Sequence, residues 1–244
     1  MTGRWRALLR LYAVQGTWNH ERMLGIGMGY AAEPLLEDLK RVDPVRHSAA
    51  VVRSAEFFNC NPNLAGLALG ATVRAEYESV PAPQLERLRT ALCSPLGALG
   101  DQLFWTGLVP TLVGLTLAGI ALGAGLWPVV ALLVLYNILR LLTAVWSLRT
   151  GLDAGMRVAH ALVTSWLPRA IRLIEPAAGL AVGLAVPLVA WWYLHGQPAS
   201  AVGGTLAVAV VGAGVAQWSR LRLGGVRFGL IAIALTLLFR GVGL

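Results

Sequence analysis

Four short segments of the sequence concentrate polar side chains that could bind a hydroxylated ligand. The first, residues 15–23, reads QGTWNHERM. Amides and charged groups hydrogen-bond hydroxyl groups, and an indole ring offers an apolar face. The candidate residues of this segment are Gln15, Trp18, Asn19, Glu21 and Arg22. The alternative is a capped helix start, with Thr17 or Asn19 as the N-cap and Glu21 or Arg22 in the first turn.

The second segment, residues 56–62, reads EFFNCNP and provides Glu56 and Asn59 as candidates. Asp43-Pro44 is a typical helix start, with aspartate as N-cap and proline at the first helical position. A helix that runs from there to about Asn59 places Glu56 and Asn59 on one face, three residues apart. They then point at a polar cavity, or simply form a helix C-terminus whose two phenylalanines pack inward.

The third segment, residues 94–105, reads SPLGALGDQLFW and provides Asp101 and Trp105 as candidates. Its glycines and proline predict a bent, non-helical stretch before a long apolar run. Irregular backbone at membrane depth is tolerated only where it is buried in protein or lines a cavity. Asp101 is therefore either the cap of the following helix or a functional carboxylate, and both roles are compatible.

The fourth segment, YNILR at residues 136–140, provides Asn137 and Arg140. Arg140 is either an anchor that sets membrane topology or part of a site, whereas a deeper Asn137 bonds another helix or lines a pathway. No phosphate-binding loop, zinc-protease motif or nucleophile elbow occurs in the sequence. The two cysteines, Cys60 and Cys93, form no CxxC and lie beside no histidine cluster, so we expect no metal and no cofactor.

The elements that must position these segments are predicted to be membrane helices. Hydrophobic residues make up 57% of the 244 residues and charged residues 13%, about half the charge of a typical soluble domain. Two runs, 102–139 and 176–219, contain no Asp, Glu, Lys or Arg. Each is long enough for two spans of about 20 residues and has a break near its middle. With a short run at 228–239, the chain is predicted to be all-α, with about five transmembrane helices.

The composition changes near Asp101 and predicts two parts. Residues 1–100 mix polar and apolar residues at helical spacing and are expected to form amphipathic or re-entrant helices, with the stretch Leu64–Val73 too short to span alone. Residues 101–244 form the transmembrane part. Glycines recur four residues apart, a spacing that lets helix backbones approach closely in lipid.

The net charge of +8 does not indicate a nucleic-acid partner, because the basic residues are distributed as topology signals. In the second half they gather in two connections between apolar runs, 140–172 and 220–227, whereas the turns at 123–126 and 195–200 carry no Lys or Arg. The positive-inside rule then predicts a multi-pass protein with a cytoplasmic N-terminus.

Taken together, the four segments resemble the IID component of the mannose-class (mannose/fructose/sorbose) phosphotransferase permeases. The family pattern reads QGSWNxERM, then EFFN followed by P, then GPLAGxGDxxFW, then FNxxR, and the order and spacing agree over about 140 residues. The departures from the pattern include Thr17 for Ser, Cys60 for Thr and Ser94 for Gly.

The resemblance implies a bacterial inner-membrane subunit that builds a sugar translocation unit with a IIC membrane subunit. It implies a hetero-oligomer that carries a hexose or amino sugar, with a trimeric assembly as one form. Soluble IIA and IIB proteins would supply the phosphate, so the chain itself would be a non-catalytic subunit whose histidines are poor phosphoacceptors.

Two classes of function therefore stand side by side. In the first, the candidate residues line or brace a hydrophilic sugar path beside the IIC subunit. In the second, the chain is a non-transporting membrane scaffold or regulatory subunit that docks phosphotransferase proteins on the arginine-rich connection. The altered motif positions and the short connection at 195–200 motivate the second hypothesis.

Overall fold

The computed structural model of the protein describes residues 3–195, 197–198 and 202–204. Within residues 3–195 the chain forms nine α-helices. They are α1 Arg4–Tyr12, α2 Gly25–Val42, α3 Pro44–Ser54, α4 Ala65–Tyr77, α5 Ala82–Asp101, α6 Val109–Ala121, α7 Trp127–Ala154, α8 Val158–Val163 and α9 Leu167–Leu194. A π-helical turn, Gln102–Leu108, joins α5 to α6, and short 3₁₀ helices occupy Val14–Thr17 and Gly155–Arg157. The predicted all-α class is confirmed.

Among the residues that the structure describes, three continuous helical stretches are long and apolar enough to cross a membrane: Ala82–Ala121, Trp127–Val163 and Leu167–Leu194. They correspond to the first three predicted spans, and the chain is a multi-pass membrane protein. Apart from residues 202–204, the predicted fourth span within 199–219 lies outside the described residues, and so does the fifth at 228–239.

Contacts along the chain separate two compact units, one up to Ala185 and one from Val186 onward. The first contains all four polar segments and the helices that carry them. In the second, the end of α9 places the Trp191 ring 4.9 Å from His195. The predicted division at residue 100 stays a prediction.

Helix α4 forms the centre of the first unit, and nearly all of its residues are buried, with Arg74 the exposed one. Its glycines allow α7 to lie directly against its backbone. A Cβ atom at Gly66 would come within 2.4 Å of Ser147 Oγ, and one at Gly70 within 2.5 Å of the Leu152 nitrogen. From the other side, a Cβ at Gly151 would approach Leu67 O to 2.4 Å. The predicted close packing through glycines therefore occurs between α4 and α7.

Helices α1, α2 and α3 cover α4 from the polar half of the chain. As predicted, Asp43 caps α3, where its carboxylate accepts a hydrogen bond of 2.9 Å from the Arg46 backbone N–H. The predicted end of α3 near Asn59 is wrong, because the helix ends at Ser54. The following residues leave the helix to pair with the turn before α2.

The predicted bent, non-helical stretch at 94–101 is also wrong. These residues continue α5 through Pro95, and the irregular backbone comes later, in the π-helical turn. Gly100 does not bend the helix but lets α5 pack closely against Asn61. A Cβ at Gly100 would lie 2.2 Å from the Cβ of Asn61. Proline is tolerated because helices in a membrane protein can satisfy the freed backbone groups locally.

Candidate substrate cavity

Three of the four polar segments meet around one open cavity of about 630 Å³. The first segment contributes Gln15 and Trp18, the second contributes Asn59 and its neighbours, and the third contributes Asp101 and Trp105. Both tryptophan side chains are exposed, at 49% and 44%. The cavity therefore combines amide and carboxylate groups with two accessible indole faces, the combination expected of a site for a neutral hydroxylated ligand.

The first two segments are held together by their backbones. Asn19 closes a turn in which its side-chain oxygen accepts hydrogen bonds from the backbone N–H groups of Glu21 (3.1 Å) and Arg22 (2.8 Å). Phe58 N–H then donates to Arg22 O (3.2 Å), and Leu24 N–H donates to Phe58 O (2.9 Å). Asn19 thus caps a turn and not a helix, since α2 begins only at Gly25.

The carboxylate of Asp101 is fixed by the loop of the second segment. Asn61 Nδ2 donates to Asp101 Oδ1 at 2.9 Å, and Asn61 Oδ1 accepts from the Asn63 backbone N–H at 3.0 Å. Asn61 is only 2% exposed. Asp101 makes no side-chain capping bond at the end of α5, so the predicted capping role is not observed and its carboxylate faces the cavity.

A buried cation lies behind the loop. Arg89 of α5 is 5% exposed, donates through Nη2 to Glu56 O at 3.1 Å, and stacks over the Phe58 ring at 5.1 Å from its centroid. Its Nη1 has no hydrogen-bond partner in the part of the chain that the structure describes. Arg89 therefore ties the loop to α5 through a backbone carbonyl and a π face.

The fourth segment forms a separate cluster away from the cavity. Tyr12 O–H donates to Asn137 Oδ1 at 2.8 Å, and Arg140 Nη2 donates to Tyr12 O at 2.9 Å. The Arg140 guanidinium also stacks on the Tyr12 ring and donates to Asn63 Oδ1 at 3.3 Å. These contacts connect α7 to the end of α1 and to the loop that holds Asp101, so Arg140 is a half-buried, hydrogen-bonded residue as well as a basic residue of α7.

The predicted candidates thus divide by position. Those that line the cavity are Gln15, Trp18, Asn59, Asp101 and Trp105. Those that lie outside it are Asn19, Glu21, Arg22, Glu56, Asn137 and Arg140. The side chain of Glu56 is exposed, and because residues 55–59 are not helical, Glu56 and Asn59 do not share a helix face.

Sequence reasoning missed Asn61 and Gly97 as parts of the site. Asn61 lies within the second segment, two residues after the candidate Asn59, but only the fold shows that its amide is buried and bonded to Asp101. Gly97 lines the cavity one turn before Asp101, where a side chain would enter the open space.

Both cysteines also line the cavity. Burial raises the pKa of the Cys60 thiol well above its ordinary value of 9.0, so this thiol stays protonated and donates a weak hydrogen bond to Asn61 O. Across the described residues, no group of three or more His, Cys, Asp or Glu side chains is placed to hold a metal ion.

Comparison with known proteins assigns this arrangement to a family. The sequence profile of the "PTS system mannose/fructose/sorbose family IID component" matches residues 2–186. The mannose-specific EIID component of Escherichia coli K12 is 28% identical over 189 residues, which cover 75% of this chain and 65% of the relative. The fructose permease IID component of Bacillus subtilis is 28% identical over 182 residues, covering 72% and 64%. The chain therefore spans about two thirds of the length of these curated relatives.

The fold also resembles a solved membrane transporter. The chain resembles one in the cryoEM structure of the mannose transporter ManYZ with microcin E492, with a TM-score of 0.54 and 26% identity over 74% of this chain and 67% of that one. The profile match covers most of the sequence, including the segments around the cavity. The protein therefore belongs to the mannose/fructose/sorbose family of phosphotransferase system IID components.

Proposed function

We propose that this chain is the IID subunit of a mannose-class sugar phosphotransferase permease and that it forms the sugar translocation unit with a IIC subunit. The observation that carries the proposal is the convergence of three separate polar segments on one cavity. Soluble IIA and IIB proteins supply the phosphate, and this chain is a non-catalytic part of a hetero-oligomer. Its N-terminus lies in the cytoplasm.

The chemistry of the cavity suits a neutral sugar. The Asp101 carboxylate and the amides of Gln15 and Asn59 accept and donate hydrogen bonds to hydroxyl groups. The exposed rings of Trp18 and Trp105 offer apolar faces to the C–H side of a pyranose. Such groups bind a sugar reversibly without reacting with it, as a pathway requires.

The residues outside the cavity support it. Asn19 and Arg22 shape the turn that pairs with Phe58, while Asn137 and Arg140 connect α7 to the same loop through Tyr12 and Asn63. In this proposal their loss lowers transport through a displaced loop and not through a lost contact with the sugar.

The test is phosphoenolpyruvate-dependent uptake in a bacterial strain that lacks its own mannose-class permease and expresses this chain with IIC, IIA and IIB subunits. A panel of radiolabelled hexoses and amino sugars identifies the substrate. We expect Asp101→Ala to lower uptake about ten-fold or more, the equivalent of a hydrogen bond to a charged group. Glu86→Ala, which removes an exposed carboxylate of the same helix outside the cavity, serves as the control and keeps wild-type uptake.

Uptake that does not depend on this chain would contradict the proposal. If the chain then still co-purifies with soluble phosphotransferase proteins, the non-transporting scaffold is the function.

A further inference from the structure

A second surface feature, lined by a different set of residues from the cavity, is an apolar groove between α1 and α7, here called the α1–α7 groove. It has a volume of about 280 Å³. Its walls are Trp5, Leu8, Val145, Leu148 and Leu152, together with the exposed arginines Arg4 and Arg149. It shares no residue with the cavity formed by the polar segments.

The position of the α1–α7 groove along α7 places it at the membrane boundary. From Trp127 to Leu148 the helix rises about 33 Å at 1.5 Å per residue, about the thickness of the hydrocarbon core. The one charged residue in that stretch, Arg140, is half-buried and hydrogen-bonded to Tyr12 and Asn63. Arg149 therefore falls at headgroup depth. Trp5 is 69% exposed, as is usual for tryptophans at a membrane interface.

The two arginines of the groove differ from the other arginines of α1. Arg6 and Arg10 pair with Glu37 and Glu33 of α2. Arg4 and Arg149, by contrast, make no hydrogen bond or ion pair to any residue in the described part of the chain.

The acidic groups next to the groove do not cancel this charge. An adjoining cavity, which shares Arg4 and Leu152, contains Arg74, Glu78 and Asp153. Arg74 and Glu78 pair with each other at 2.6 Å. With that pair neutralised, the guanidinium groups of Arg4 and Arg149 outnumber the one remaining carboxylate of the two cavities, that of Asp153. The rim of the groove therefore carries a net positive charge.

We propose that the α1–α7 groove is a binding site for an anionic phospholipid, with an acyl chain against its apolar wall and the phosphate between Arg4 and Arg149. Basic pockets between helices at the membrane surface bind such headgroups. A zwitterionic lipid fits the apolar wall equally well, but its ammonium group offsets the attraction of the phosphate to the two guanidinium groups. The site is distinct from the proposed sugar pathway, because none of its residues lines the cavity.

The test is native mass spectrometry of the full chain in a non-ionic detergent, titrated with palmitoyl-oleoyl phosphatidylglycerol or palmitoyl-oleoyl phosphatidylcholine. An arginine beside an anionic lipid contributes the equivalent of about five-fold in affinity. We therefore expect R4Q/R149Q to lower the affinity for the first bound phosphatidylglycerol about thirty-fold. The affinity for phosphatidylcholine should stay unchanged. R157Q, which removes an exposed arginine outside the groove, is the control and retains wild-type affinity. D153N strengthens binding, and inorganic phosphate does not compete.

A second measurement locates the lipid directly. A phosphatidylglycerol with a photoreactive group in its acyl chain is expected to label residues 5–8 and 145–152. Equal affinities of wild type and a folded R4Q/R149Q variant would overturn the proposal, and so would an equal loss in R157Q. Labelling confined to other helices, or cross-links to a partner subunit or a second copy across the groove, would also overturn it. Thermal unfolding of each variant shows whether a loss of binding reflects a loss of fold.

Discussion

Asn61 fastens the loop of the second polar segment to α5, and its removal has a calculable cost. Asn61→Ala loses the hydrogen bond to the Asp101 carboxylate, which contributes about 1.5–3 kcal/mol because the acceptor is charged. It also leaves the backbone N–H of the buried Asn63 without its acceptor, at a cost of about 1–3 kcal/mol. We expect the free energy of unfolding to fall by about 3 kcal/mol.

The matched control is Asn59→Ala, two residues earlier in the same loop. Asn59 is exposed, and its side chain makes no hydrogen bond within residues 3–195. Its loss is expected to change the free energy of unfolding by less than about 0.5 kcal/mol. Reversible unfolding of the full chain in mixed detergent micelles with rising dodecyl sulfate measures both variants. Equal stability losses, or a stable Asn61→Ala, would refute the assignment of Asn61 as the fastening residue.

Two further predictions concern packing and pH. Gly70→Leu places a side chain where the Leu152 nitrogen lies 2.5 Å from a Cβ, so we expect α4 and α7 to separate and the folded chain to disappear from detergent extracts on size exclusion. The hydrogen bond from Arg10 lowers the pKa of Glu33 below its ordinary value of 4.5. The folded-state pKa lies below the unfolded one, so this pair stabilises the protein above pH 4.5 and the gain is lost as the pH falls through the folded pKa. Glu33→Gln should remove that part of the acid dependence in thermal unfolding measured from pH 7 to pH 3.

Much of the membrane architecture could be predicted from the sequence because hydrophobic runs and glycine spacing are local signals. The uncharged run after Asp101 predicts α6 and most of α7. The glycines four residues apart, among them those at 66, 70 and 151, predict helices whose backbones touch. The Asp43-Pro44 helix start was equally local. In each case one segment contains all the information that the prediction needs.

The site was harder to predict because it depends on pairings between distant segments. Nothing near Phe58 indicates that its backbone will bond Arg22 and Leu24, yet this pairing ends α3 early and turns Asn59 toward the cavity. Glu56 is exposed and lies outside the cavity. The sequence identified five of the fourteen cavity-lining residues by type and motif. Separating the candidates into lining and supporting residues required the fold.

The stretch at 94–101 shows how a composition rule can mislead. Proline and two glycines usually indicate a break in a helix, but here α5 continues through them. Gly100 is needed for contact with Asn61, and Gly97 keeps the cavity open. In this helix the glycines mark a close contact and an open cavity, and they do not mark a break.

The most direct test of the proposed sugar pathway is to fill the cavity from Gly97. A Cβ there would meet only Cys60 Cα, at 3.9 Å, an ordinary contact, so Gly97→Trp places an indole ring in the open space without a backbone clash. Ala91→Trp adds the same ring on an exposed face of the same helix, outside the cavity. Phosphoenolpyruvate-dependent sugar uptake is predicted to be lost with Gly97→Trp and retained with Ala91→Trp, at equal membrane levels and equal IIC co-purification. Wild-type uptake by Gly97→Trp would show that sugar does not pass through this cavity.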